Sequence, residues 1–145
     1  MAIKKLEHVG IIVNDLPAAI EFFTNLGLEP GGTGEVEGDQ VERIIAVDNP
    51  RAELAMLKTP DGQGEIELVK FHSPPTPPGD PQAPSNAPGI RHIAFLVDDI
   101  ETMVADLEAR GTELVGELVR YGDSYTLCYV RGPEGIIVEL AEKIG

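Results

Sequence analysis

Residues 6–13 alternate between two sides of an extended chain. Val9, Ile11 and Val13 make one row, and His8, Gly10 and Ile12 make the other. The pattern predicts a strand whose first row packs on a helix and whose second row carries the histidine. Asn14-Asp15-Leu16-Pro17 then predicts a helix start, with an acidic N-cap and a proline in the first turn. Leu16, Ile20 and Phe23 recur at helical spacing, and Gly27 supplies the stop. Strands follow at residues 29–36, 52–58 and 65–71, with Thr59-Pro60-Asp61-Gly62 as the turn before the last. The segment 41–47 fits a strand or a short helix.

The same order returns later in the chain. Leu6-Glu7-His8-Val9-Gly10-Ile11-Ile12-Val13-Asn14-Asp15 aligns with Ile90-Arg91-His92-Ile93-Ala94-Phe95-Leu96-Val97-Asp98-Asp99, 84 positions on. Gly27 then matches Gly111, and Glu29 matches Glu113. Asp98 with Glu101 suggests a capping box, and Ile100, Val104 and Leu107 form the apolar stripe. Strands are predicted at 114–120, 124–131 and 135–141, with Arg131-Gly132-Pro133-Glu134-Gly135 as a turn. Ile66-Glu67-Leu68 matches Val138-Glu139-Leu140 at an offset of 72, so the second copy is shorter by 12 positions. The expected fold is therefore α+β, built from two tandem βαβββ modules. Module one covers 1–72, a linker 73–89, and module two 90–145, all within one domain. The linker holds seven of the chain's twelve prolines, which excludes a helix or a central strand. It reads as a stiff, extended spacer.

Composition narrows the partners. A chain of 145 residues with 42% hydrophobic and 25% charged positions is long enough for a real core. A formal charge of −14 argues against nucleic acid and against an anionic membrane surface. No stretch approaches the ~20 apolar residues of a membrane span, and no apolar run near the N-terminus suits a signal peptide. Cytoplasmic localisation is the expectation. Cys128 is the only cysteine, which rules out an intrachain disulfide and a Cys-based zinc site.

His8 or His92 alone would read as a hydrogen-bonded strand residue. Glu67 alone would read as a solvated carboxylate. The joint pattern changes that reading, because each copy carries one His and one Glu at equivalent places. Both Glu residues also sit among apolar neighbours, where an unpaired charge is costly. His8, Glu67, His92 and Glu139 are therefore the expected ligands of one divalent metal ion, whether Zn, Ni, Co, Mn or Fe. Other features carry less. Gly31-Gly32-Thr33-Gly34 lacks the Lys-Ser/Thr pair of a phosphate loop. Arg43, Arg91 and Arg131 read as surface ion-pair residues. Cys128 reads as core.

These residues carry a family resemblance over the whole chain. The two His segments, Gly64-Glu65-Ile66-Glu67-Leu68 and Gly132-Pro133-Glu134-Gly135-Ile136-Ile137-Val138-Glu139-Leu140 resemble the vicinal oxygen chelate superfamily. That group contains glyoxalase I, methylmalonyl-CoA epimerase, extradiol dioxygenases, and fosfomycin and bleomycin resistance proteins. The turn departs from the family's Asp-Pro-Asp-Gly, with Gly132 and Glu134 in place of both acids. The resemblance implies two modules paired into a cupped mixed sheet around the metal, and a homodimer. A His-Glu-His-Glu set is similar to that of glyoxalase I and the epimerase, whose shared chemistry is proton abstraction next to a carbonyl. It implies a metal-dependent lyase or isomerase acting on a small-molecule substrate, with Glu139 as main base and Glu67 as its partner. The alternatives in the same superfamily are an antibiotic-binding resistance protein and an Fe(II) dioxygenase. Tyr125, Leu127 and Tyr129 share a strand face. By resemblance to the fosfomycin enzymes, Tyr129 faces the cup, with Leu127 beside it as a second substrate contact; ordinary cross-strand packing is the alternative.

Overall fold

Chain order is kept in both halves of the computed structural model, which describes residues 2–145. It divides into two units, Met1–Pro78 and Gly79–Gly145. The first unit contains β1 (Val9–Ile12), α1 (Leu16–Leu26), β2 (Glu29–Glu37), α2 (Asp39–Ile45), β3 (Arg51–Lys58) and β4 (Glu65–Ser73). The Asp15 carboxylate accepts from the Ala18 backbone N–H and caps α1, with Pro17 in the first turn. Gly27 ends the helix in the left-handed region at φ 118°, where a Cβ would be strained. The undecided segment is helical: α2 ends at Ala46, also left-handed.

The four strands run in the order β1-β4-β3-β2. β1 is parallel to β4, and the other pairs are antiparallel. A parallel pair needs a long crossover, which α1 with β2 and β3 provides. Register decides which residues share a face. Ile66 and Leu68 of β4 lie opposite Leu57 and Ala55 of β3. These four are buried, and α1 packs over β3 and β4 through Leu16, Ala19 and Phe23. The opposite face carries the row Gly10–Glu67–Met56, followed by Ile12–Val69–Leu54.

The second unit contains β5 (His92–Leu96), α3 (Ile100–Ala109), β6 (Glu113–Leu114), β7 (Val119–Tyr121), β8 (Tyr125–Arg131) and β9 (Ile137–Lys143). Sheet order is β5-β9-β8-β6, with β7 also paired to β8. β5 is parallel to β9, as β1 is to β4. The strand expected at 114–120 is broken into β6 and β7. Gly116 lies in the interruption, where a residue without a side chain gives a strand no packing. The expected capping box at Asp98 is also corrected. The N-cap is Asp99, left-handed at φ 49° and without a side-chain bond. The Ile100 N–H instead donates to the Glu142 carboxylate on β9, at 3.0 Å. A cap drawn from 42 positions away leaves no local signature. Ile100, Val104 and Leu107 are buried as expected. They share the apolar side of the sheet with Cys128, Val130, Val138 and Leu140. The other side carries the row Ala94–Glu139–Tyr129, then Leu96–Ala141–Leu127. Residues 74–91, which include the proline-rich linker, form neither helix nor strand.

Candidate functional site

Each unit brings together one predicted pair. In the first, His8 Nε2 lies 4.0 Å from Glu67 Oε1. In the second, His92 Nε2 lies 3.4 Å from Glu139 Oε1. The cause is register. His92 opens the edge strand β5 and His8 immediately precedes the edge strand β1, each strand lying parallel to and directly beside the one that carries the Glu. Gly10 and Ala94 lie directly opposite Glu67 and Glu139, so each His, two positions earlier, shares the face of its Glu one row away and reaches it diagonally. Two donors on one ion, each about 2.1 Å from it and about 90–110° apart, lie roughly 3.0–3.4 Å from each other. The second pair fits that spacing, and the first is wider. Among the described residues no group of three or more His, Cys, Asp or Glu side chains gathers at a point, so each unit presents a pair.

The carboxylates are less buried than their apolar neighbours in sequence suggest. The Glu67 side chain keeps 26% of its exposure and Glu139 keeps 21%. The reason is the sheet. Ile66 and Leu68, like Val138 and Leu140, point to the helix side, whereas the Glu between them points away. The surroundings on the Glu face are still apolar: Leu54, Met56 and Val69 in one unit, Ala94, Leu127 and Ala141 in the other.

The sequence reading missed Glu7. Its Oε1 lies 2.7 Å from His8 Nδ1. The hydrogen bond to His8 holds the Glu7 carboxyl below its ordinary value. The same bond raises the His8 imidazole above its own, against a smaller effect of desolvation. A signal existed, since the first copy reads Glu-His where the second reads Arg-His.

Tyr129 lies directly across from Glu139, and its ring centre is 4.9 Å from that of His92. Leu127 lies on the same face, one row further along. Tyr125 continues that face, opposite Lys143 and Tyr121. The third histidine, His72, bonds Glu53 at 2.7 Å. That pair has the parity of Lys70, opposite to Glu67, and belongs to the other face. Of the three arginines singled out in the sequence, Arg43 pairs with Asp39, as a surface residue does. Arg91 and Arg131 instead donate to carbonyls: Ala87 and Pro88 for the first, Pro81 and Gly135 for the second. Cys128 is buried, and desolvation pushes its thiol up to about 11, which makes it a core residue and a poor nucleophile.

Comparison with known proteins gives the family and the fold. The model of the Glyoxalase/Bleomycin resistance protein/Dioxygenase superfamily matches residues 5–140. The uncharacterized protein YaeR of Escherichia coli is 32% identical, over 99% of each chain. YwbC of Bacillus subtilis is 30% identical, over 97% of this chain and 98% of its own. A crystal structure of a glyoxalase family protein from Bacillus cereus is 43% identical and superposes with a TM-score of 0.96, covering 100% of this chain and 97% of that one. With its two mixed sheets of shared topology, its matched His and Glu positions and these relatives, the chain belongs to the glyoxalase/bleomycin resistance/dioxygenase superfamily, the vicinal oxygen chelate fold.

Proposed function

We propose that the protein is a metal-dependent lyase or isomerase of the glyoxalase type, which abstracts a proton next to the carbonyl of a small substrate. The observation that supports this most is the recurrence of one His–Glu pair at the same register in both units. His8, Glu67, His92 and Glu139 would serve one divalent ion. Two imidazoles and two carboxylates suit Zn, Ni, Co, Mn or Fe, and no thiolate is needed. When bound, the ion supplies positive charge that stabilises the negative charge developing on the carbonyl oxygen.

The remaining chemistry belongs to the protein. The Glu139 carboxylate removes the carbon-bound proton and returns it, and Glu67 is its counterpart on the other unit. The apolar residues around each carboxylate limit its hydration and so favour proton transfer. Tyr129 and Leu127 give the substrate an aromatic and an aliphatic contact beside Glu139. Homodimer formation belongs to the same reading. It is supported by Ile12 (50% exposed) and Leu96 (72% exposed), apolar residues on the strands that edge their sheets. A cytoplasmic enzyme fits the single reduced cysteine and a chain in which no described helix is long and apolar enough to cross a membrane.

The test is solvent deuterium exchange at the carbon next to the carbonyl. Metal-loaded protein would be tried on glutathione and bacillithiol hemithioacetals and on acyl-CoA thioesters. Exchange on one class, abolished by chelation, is the expected result. No exchange, together with submicromolar binding of an aromatic natural product, would favour a resistance protein. Oxygen consumption with a catechol would favour a dioxygenase.

A further inference from the structure

We propose that Glu7 is a positioning residue for the metal: it fixes the tautomer and orientation of His8 so that Nε2 is the free donor. This rests on the reading of His8 as a ligand. An ionised carboxylate only accepts hydrogen bonds, so the 2.7 Å contact requires the proton on His8 Nδ1. In the neutral ring the lone pair is then on Nε2, the atom nearest Glu67. Metal-binding histidines are commonly held in this way, with the second nitrogen donating to a carboxylate that sets the ring and increases its basicity. The second unit has no counterpart in sequence. Arg91 precedes His92, and its guanidinium is engaged by the Ala87 and Pro88 carbonyls. His92 instead rests against the Tyr129 ring. The two halves thus orient equivalent histidines by different means, one by a carboxylate and one by an aromatic face.

Glu7 is exposed, and its removal leaves the core untouched. Two readouts test its role. In metal-free protein, long-range proton–nitrogen NMR spectra of neutral His8 should show the Nδ1–H tautomer in wild type and a shift towards Nε2–H in E7A. Zn(II) and Co(II) titrations should show E7A weaker than wild type by about 10–100-fold, with E7Q between them, since an amide oxygen still accepts from Nδ1–H. Equal affinities for wild type and E7A would overturn the role of Glu7, whatever the tautomer. Wild-type protein that binds neither ion would overturn the functional reading itself, and the positioning role with it. The two failures are therefore distinguishable.

Discussion

The two units share a backbone plan and differ in what surrounds the same two side chains. The row through the acid reads Gly10–Glu67–Met56 in one and Ala94–Glu139–Tyr129 in the other. The next row reads Ile12–Val69–Leu54 against Leu96–Ala141–Leu127. Strand register has kept the His and Glu in place, because a slip of one residue would turn every side chain to the other face. The residues around them were free to diverge. A duplicated fold thereby supplies equivalent His–Glu pairs and inequivalent walls, which is what the proposed reaction needs if one carboxylate is to be the base and the other mainly a ligand.

Substituting the two acids separately tests that asymmetry, and this is the largest expected effect. Glu139→Gln should lower deuterium exchange by about 10²–10⁴-fold while keeping much of the metal, because an amide oxygen ligates but does not take a proton at neutral pH. Glu67→Gln should cost less. Equal losses from the two would remove the distinction between the units.

Core truncation compares the halves in stability. Phe23, fully buried on the sheet-facing side of α1, should cost about 3–5 kcal/mol as Phe23→Ala in urea unfolding. Leu107→Ala, on the buried side of α3, should cost about 2–5 kcal/mol. Values below ~1 kcal/mol at either site would mean that its helix is not held as described.

The aromatic wall of the second unit is a smaller effect. Tyr129→Leu removes a ring contact with His92 that is worth about 0.5–1.5 kcal/mol. It should raise KM several-fold more than it lowers kcat, if Tyr129 contacts substrate. Met56→Leu, at the matching place, should change little.

The effect that is smallest at neutral pH lies in the core. Cys128 occupies the position that Ala55 holds in the first unit. Burial raises its thiol from 9.0 to about 11 in the folded state. The unfolded thiol ionises first, so the contribution is fully present below pH ~9 and is lost as pH rises towards about 11. Wild type should therefore lose stability relative to Cys128→Ala over that range in urea midpoints. A constant difference would show that the thiol ionises alike in both states.

Much of the fold was legible because period-two and period-3.6 patterns occur twice at a fixed offset. The Asp15 cap and the Gly27 stop are local chemistry, and both read correctly. What escaped was non-local. The α3 cap comes from Glu142 on a distant strand, and the break between β6 and β7 interrupts an otherwise strand-like run. The candidate pairs were legible as doubled positions. Their partial exposure was not, because neighbours in sequence fall on opposite faces of a strand. Glu7 was passed over because a charged residue ahead of a strand usually reads as solvated, and only the 2.7 Å contact gives it a partner.

The central claim is that two His–Glu pairs, one from each unit, serve a single metal. Metal stoichiometry with His8→Ala and His92→Ala tests it most directly. Wild type should bind one divalent ion per chain, and either substitution alone should abolish tight binding, since each removes a ligand from the same ion. Two ions per chain, with each substitution removing only one of them, would contradict it.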